Sequence, residues 1–307
     1  MNTFIIGNGV DLAHNMPTNY NCFKDYLLER FPYIKGFKEE LFFVPSQRTA
    51  PNGGIIVDQN EVASFLYHII NNVCGEDWSD FETALGNIDL FECFDDLFEV
   101  YDRDGDRNVF HEAYNNEDRA SDLYYVIPMI KVFFSDWVNT IKPPKRCLPD
   151  FSSLIDPEKD LFISFNYSHT LEELYRCKNV IHMHGEIGSE IIVGHDGRQD
   201  YSDDNSSVPI GCFNTLQEIY DMLRKDTEGV IEKHYDELRA VSFCKQVYSF
   251  GFSYSQVDIP YIKHICGLLK DDVIWLFTKY DARDSTKIVR FKKDIVNCGF
   301  KGQFSIF

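Results

Sequence analysis

Thr3-Phe4-Ile5-Ile6-Gly7-Asn8-Gly9-Val10-Asp11-Leu12-Ala13-His14 is the stretch on which the fold turns. Its first four residues are a short β-branched and aromatic run, which reads as a strand. The run stops at Gly7-Asn8-Gly9, and Val10-Asp11-Leu12-Ala13-His14 can start a helix. Strand, tight turn, helix is the opening order of a parallel α/β sheet. Two positions without Cβ in that turn let backbone N–H groups face a phosphate at a helix N-terminus. The same pair of glycines also serves a plain strand-to-helix turn. The full G-x-G-x-x-G fingerprint is absent, because Leu12 stands where its third glycine belongs, and the loop is not a Walker A loop.

Composition bounds what the rest of the chain does. The 307 residues are 44% hydrophobic and 26% charged, enough for one large core or two modest ones. Thirty Lys plus Arg against 49 Asp plus Glu leave a formal charge of -19, so no uniformly basic face exists to neutralise phosphates, and no nucleic-acid partner is expected. The 26 Phe and 17 Tyr fit dense packing rather than a solvated acidic tail. Nine Cys form no CxxC pair and are odd in number, which speaks against zinc modules and a disulfide framework. The N-terminus lacks a basic n-region and a long apolar h-region, and no later run is apolar for 18 residues. The expectation is a cytoplasmic protein with reduced thiols, no membrane partner and no bound metal.

Outward from the first turn, Phe23, Tyr26, Leu27 and Phe31 recur at helical spacing, so a second helix is expected over 20–31, before Pro32. Residues 45–59, with Pro45, Pro51, Gly53 and Gly54, read as a loop. From Glu61 one apolar stripe runs through Val62, Phe65, Leu66, Ile69, Ile70 and Val73. Helical patterns follow over 80–90, 94–101 and 123–141. Alternation then resumes: strand 161–164, helix 170–176, strand 180–183 and strand 191–193. A polar loop over 197–207 precedes helices near 212–224 and 229–241. Strand 246–250, helix 257–269, strand 273–277, helix 286–297 and strand 303–307 complete the pattern. The expected fold is an α/β, Rossmann-like open parallel sheet with helices on both faces. Its domain comprises 1–44 and 143–307, and 45–142 form a mainly helical insertion.

Chemistry-bearing residues cluster where predicted strands end, which is where open parallel sheets place ligand contacts. Asn166, in Ser164-Phe165-Asn166-Tyr167-Ser168, is a ligand-facing amide or an N-cap of the next helix. In His182-Met183-His184-Gly185, period two puts both histidines on one face. A two-His metal site is disfavoured for want of a Glu or Cys at matching spacing, and one His as a base is the stronger reading. Gly251-Phe252-Ser253-Tyr254-Ser255 is another Gly/Ser turn after a strand. The turns at Gly7, Asn166, His184 and Gly251 are expected to converge on one crevice.

Taken together these motifs resemble the bacterial abortive-infection AbiH family. The residues that carry the resemblance are Ile6-Gly7-Asn8-Gly9-Val10-Asp11-Leu12-Ala13-His14, Met16-Pro17-Thr18-Asn19-Tyr20 and Phe165-Asn166-Tyr167-Ser168-His169-Thr170-Leu171-Glu172, followed by His182-Met183-His184-Gly185 and Gly194-His195. Trp78-Ser79-Asp80-Phe81-Glu82 is similar to the family as well. A more distant resemblance is to sirtuin-type NAD-binding domains. Gly7-Asn8-Gly9 with Pro17 is similar to their glycine loop, Asn166 to their motif asparagine, His184-Gly185 to their catalytic His-Gly, and Gly251 to Ser253 to their Gly-Thr-Ser segment. The chain departs in lacking a four-Cys zinc module and in carrying Ser168 where sirtuins carry Asp.

What the resemblance implies is NAD, or a related nucleotide, as substrate or ligand. Sirtuin-like defence effectors without the zinc module hydrolyse NAD, so the expected activity is cleavage of the nicotinamide glycosidic bond. Asn166 would orient ribose or water, and His184 would contact ribose hydroxyls or act as base. Gly7, Asn8 and Gly9 would hold the pyrophosphate, with Asp11 near ribose or nicotinamide, and Gly251 and Ser253 toward the adenosine side. Asp11 also fits plain helix electrostatics. Self-association or a partner defence protein is implied too. The alternatives are a silent NAD or ADP-ribose sensor and, more remotely, a nuclease. For Trp78, Asp80 and Glu82 the resemblance implies importance without a role, and Ser79 with Glu82 fits a capping box. His195 reads equally as an acid or base and as a turn residue.

Overall fold

The computed structural model describes residues 1–36, 43–95, 97, 99–197 and 209–307. Of the polar loop expected over 197–207, all but Gly197 lies outside them. The chain forms two compact units, one of Met1–Asn19, Trp137–Ile192 and Lys225–Phe307, the other of Tyr20–Asp136 and Val193–Arg224.

The first unit is built on a six-stranded parallel sheet. Among the described residues eight strands occur in chain order: β1 (Thr3–Ile6), β2 (Arg48–Thr49), β3 (Ile55–Ile56), β4 (Leu161–Ser164), β5 (Asn179–His182), β6 (Gln246–Phe250), β7 (Ile274–Phe277) and β8 (Gln303–Ile306). The sheet runs β5-β4-β1-β6-β7-β8, with β1 paired in parallel to β4 on one side and β6 on the other. Counted along the sheet's own six strands, that is the 3-2-1-4-5-6 order of doubly wound dinucleotide-binding folds. The first strand is therefore central, and the strand order reverses between β1 and β6.

Period-two alternation along β1 sorts the core into two layers. Ile5 packs on one face with Ile163, Val247 and Trp275, under Tyr261, Ile262 and Ile265 of helix Ile259–Leu268 and Phe291 and Ile295 of helix Ser285–Asn297. Phe4 and Ile6 pack on the other with Phe162, Tyr248, Phe151 and Leu171. Phe4 stacks on Phe162 at 5.1 Å and on Tyr248 at 4.8 Å, its register partners on both neighbouring strands. Both faces are thus apolar and covered, as a central parallel strand requires.

The second unit is mainly helical, with Gln59–Cys74, Val109–Val126 and Phe213–Leu223 among its longer helices and the short β2–β3 pair inside the segment expected to be a loop. The single helical pattern expected over 123–141 is two helices, Val109–Val126 and Met129–Val138, because Pro128 has no N–H to donate to the preceding turn. The expected strand 191–193 does not form, and the region over 80–90 is helical only at Phe81–Leu85. The expected helix 94–101 falls partly outside the described residues, and its end, Tyr101, forms an antiparallel bridge with Arg107. No helix among the described residues is long and apolar enough to cross a membrane. None of the nine cysteines is joined in a disulfide; six are buried, and burial pushes the thiols of Cys177, Cys212 and Cys266 up to about 12.

Candidate functional site

Because the sheet is parallel, the loops after β1, β4, β5 and β6 leave from the same edge. Those loops carry Gly7 to Gly9, Asn166, His184 and Gly251 with Ser253. The structure brings the predicted residues to one edge, although the individual groups do different things there.

At the strand-order reversal the two glycine turns are stitched together. The Gly7 N–H donates to the Phe250 carbonyl at 3.0 Å and the Gly9 N–H to the Gly251 carbonyl at 2.9 Å. A Cβ on Gly9 would lie 2.4 Å from the Gly251 Cα, and one on Gly7 2.5 Å from the Gly251 oxygen. Gly251 itself has φ +66°, where a side chain is strained. The absent side chains are thus required by backbone packing between loops. Asn8 is held as well: the Thr18 hydroxyl donates to its Oδ1 at 2.6 Å, and its Nδ2 donates to the Thr18 carbonyl at 2.9 Å. Ser253 is exposed, and its carbonyl accepts from Arg290 at 3.0 Å.

Asp11 lies just beyond this knot and is 1% exposed. Its carboxylate accepts from the Ser168 hydroxyl at 2.6 Å and from the Thr170 hydroxyl at 2.9 Å. Burial raises its pKa, against the lowering effect of those two hydroxyls, His14 and the Asn166 side chain. Asn166 is itself 5% exposed, and its Oδ1 is buried without a hydrogen-bond partner. Its expected alternative role as a helix cap is not realised, since His169 precedes helix Thr170–Tyr175 and gives no side-chain cap. An unsatisfied carboxamide oxygen beside a buried carboxylate costs folding free energy. It is also a pair of acceptors and donors held ready for a polar ligand.

The segment Phe165 to Ser168 faces two ways. Asn166 and Ser168 turn to Asp11, whereas Phe165 and Tyr167 lie against the His184 ring at 5.1 Å and 6.1 Å. His184 belongs to a buried charged triad. Its Nε2 lies 3.0 Å from Asp258 Oδ1 and 3.2 Å from Lys225 Nζ, and Lys225 bonds the same Asp258 oxygen at 3.1 Å. The Lys225 side chain is 0% exposed and that of Asp258 7%. Burial works against ionisation of Asp258, but Lys225 and His184 outweigh it and hold the carboxyl far below the usual carboxylate range.

His182 and His184 do not share a face. β5 ends at His182, and the chain then turns, with Gly185 at φ +77° and the Ile192 N–H returning to the His184 carbonyl at 2.8 Å. Period two therefore stops before His184. His182 points instead to Glu172 at 2.7 Å and Glu186 at 3.6 Å, while its Nδ1 meets the Asn166 carbonyl at 3.1 Å. Burial lowers its pKa, but the Glu172 contact, the Asn166 carbonyl and Glu186 together raise it. The sequence offered no Glu at obvious metal spacing from His182; the fold supplies two.

A family model described as bacteriophage abortive infection AbiH matches residues 3–279. The chain belongs to the AbiH family. Membership brings a role in phage abortive infection, and neither curated proteins nor solved structures give a significant match. The AbiH-like motif in the second unit is chiefly a packing device. Trp78 is 0% exposed and stacks on Phe81 at 5.8 Å, with Phe23 at 6.1 Å and Tyr67 at 5.4 Å. Asp77 caps this turn through the Ser79 N–H, so the expected Ser79 and Glu82 capping box does not form. Glu82 is buried and accepts from the Gly194 N–H at 3.4 Å, and His195, 1% exposed, bonds the Tyr220 carbonyl at 3.1 Å. Burial lowers the His195 pKa.

Lys225 and Asp258 were not singled out as site residues. Lys225 follows a helix with no local motif, and Asp258 sits 33 residues later, so only the fold joins them.

Proposed function

We propose that this AbiH protein hydrolyses NAD at the nicotinamide glycosidic bond during abortive infection. The observation that carries the reading is the Asn166 carboxamide, whose buried Oδ1 has no partner, beside the Asp11 carboxylate. It lies next to the strand-order reversal of a sheet with dinucleotide-binding topology. The sirtuin-like Asp missing at position 168 has a counterpart: Ser168 is hydrogen-bonded to Asp11, so a carboxylate reaches that place from another element.

In the reaction a water oxygen bonds to the ribose anomeric carbon as the C–N bond breaks, nicotinamide leaves neutral, and the water's proton passes to a base. The transition state is oxocarbenium-like and asks for positioned dipoles more than for a strong nucleophile. Asn166 orients the ribose hydroxyls or the water. His184 is the base or ribose contact, and its Nε2 is engaged by Asp258 and Lys225, which leaves Nδ1 to face substrate. Asp258 thereby sets the tautomer and orientation, as a buried carboxylate does in hydrolase triads. Gly7 and Gly9 contribute shape to the pyrophosphate side rather than donors, their N–H groups being committed to β6.

The test is nicotinamide release from NAD by purified protein, with and without lysate of phage-infected cells, beside Asn166→Ala and His184→Ala. Release by the wild type and loss in both variants supports the reading. Calorimetric NAD binding without release under either condition replaces it with a sensor, and absence of binding removes NAD altogether.

A further inference from the structure

Away from Asp11 and His184, three side chains converge at the sheet's C-terminal edge, with a fourth, His169, beside one of them. His182 Nε2 lies 2.7 Å from Glu172 Oε1 and 3.6 Å from Glu186 Oε2, and the same Glu186 oxygen lies 2.9 Å from His169 Nε2. One donor atom each from Glu172, His182 and Glu186 falls within 4.8 Å of the others. A cation with bonds of about 2.1 Å needs donor separations of about 3.0–3.4 Å, so this cage is almost the required size.

The chemistry of the second ring nitrogen agrees. His182 Nδ1 meets the Asn166 carbonyl at 3.1 Å, a contact that keeps a proton on Nδ1 and makes Nε2 the nitrogen that can ligate. Metal-bound histidines are oriented by this same arrangement. As an imidazolium His182 donates its Nε2–H to Glu172 at 2.7 Å, and a metal ion displaces that proton and takes its place between the two groups. One Glu172 oxygen is in addition buried without a partner. The side chains of Glu172, His169 and Glu186 are 31%, 29% and 43% exposed, so an ion enters without opening the core.

We infer that Glu172, His182 and Glu186, with His169 orienting Glu186, form a binding site for one divalent first-row metal ion. Mixed imidazole and carboxylate donors suit Mn²⁺ or Zn²⁺. Bound there, the ion ties helix Thr170–Tyr175, the end of β5 and the Glu186 turn together, and through His182 it steadies the backbone at Asn166.

Mn²⁺ is the probe of choice, because the exposed Cys147 offers Zn²⁺ a competing thiol ligand. Full-length protein stripped with chelator is titrated with MnCl₂ while free Mn²⁺ is followed by electron paramagnetic resonance. We expect saturation at one ion per chain and a raised Tm. Glu172→Gln and Glu186→Gln, which keep size and a hydrogen-bonding oxygen, should each weaken binding by about tenfold or more. Exposed Glu158, replaced by Gln, should leave binding unchanged. Failure of the wild type to bind saturably overturns the site, leaving the cluster as imidazolium and carboxylate ion pairs. Equal binding by wild type, Glu172→Gln and Glu186→Gln, with folding confirmed by circular dichroism, overturns it too.

Discussion

Replacing Asp258 by Asn tests the buried triad. Asp258 Oδ1 sits 3.1 Å from Lys225 Nζ and 3.0 Å from His184 Nε2, with the Lys225 side chain wholly out of water. At an effective dielectric of about 20 the attraction between unit charges at that separation is about 5 kcal/mol. Removing one member of such a pair costs about 3–5 kcal/mol, because the other charge stays buried. In a folding unit of this size each kcal/mol moves Tm by about 2–4 °C, so calorimetry should find Asp258→Asn melting about 6–20 °C lower. Asp258→Leu combined with Lys225→Met should recover most of that loss, since apolar replacement of a whole buried pair is close to neutral. The depressed Asp258 pKa makes its contribution complete above the ordinary carboxylate range, and it is lost as pH falls toward the depressed value. A Tm for Asp258→Asn within about 2 °C of wild type at pH 7 would refute the reasoning, as the measured cost would then be under about 1 kcal/mol.

Four other expectations follow from the same geometry. Gly9→Ala places a Cβ 2.4 Å from the Gly251 Cα, and urea denaturation should show a loss of about 2–4 kcal/mol or failure to fold. Asn166→Ala should cost about 1–3 kcal/mol in the same assay, since the buried Asp11 carboxylate loses the hydrogen bond of the Asn166 side chain, while abolishing nicotinamide release. Trp78→Ala should destabilise the second unit by about 3–5 kcal/mol, read as earlier cleavage in limited proteolysis. Asp11 works with the opposite sign to Asp258. Burial raises its pKa, so its contribution is greatest below about pH 4 and is lost as pH rises through the raised value, and Asp11→Asn should flatten that part of the stability profile.

The sheet was legible because its signals are local. Apolar runs bounded by turn residues placed β4 and β6 at their observed limits, and β1 with its glycine turn announced the parallel order. The apolar triplet over 191–193 misled because it lacks a neighbour: the turn at Gly185 brings it back to the His184 carbonyl instead of to a strand. Asn166 and His184 were legible as residues after strand ends. What surrounds them was not, because the Asp11 contact to Ser168 spans 157 residues and the Lys225 contact to His184 spans 41. Pairings at such separations follow from strand order, and no spacing rule encodes them. Helical spacing likewise ran through Pro128, where apolar periodicity outlasts the backbone's ability to continue.

The central position of β1 has a consequence for how the protein matures. β1 is made before the two strands that fill its edges, β4 and then β6. Until β6 arrives, the N–H groups of Gly7 and Gly9 have no acceptor in Phe250 and Gly251, and Asp258 has yet to be made. Contacts of such long range make folding wait for the late segments of the chain. The arrangement around Asp11, Asn166 and His184 is therefore withheld from chains that end before Asp258. It is complete only when β6 and its following loop close on β1 and the Gly7–Gly9 turn.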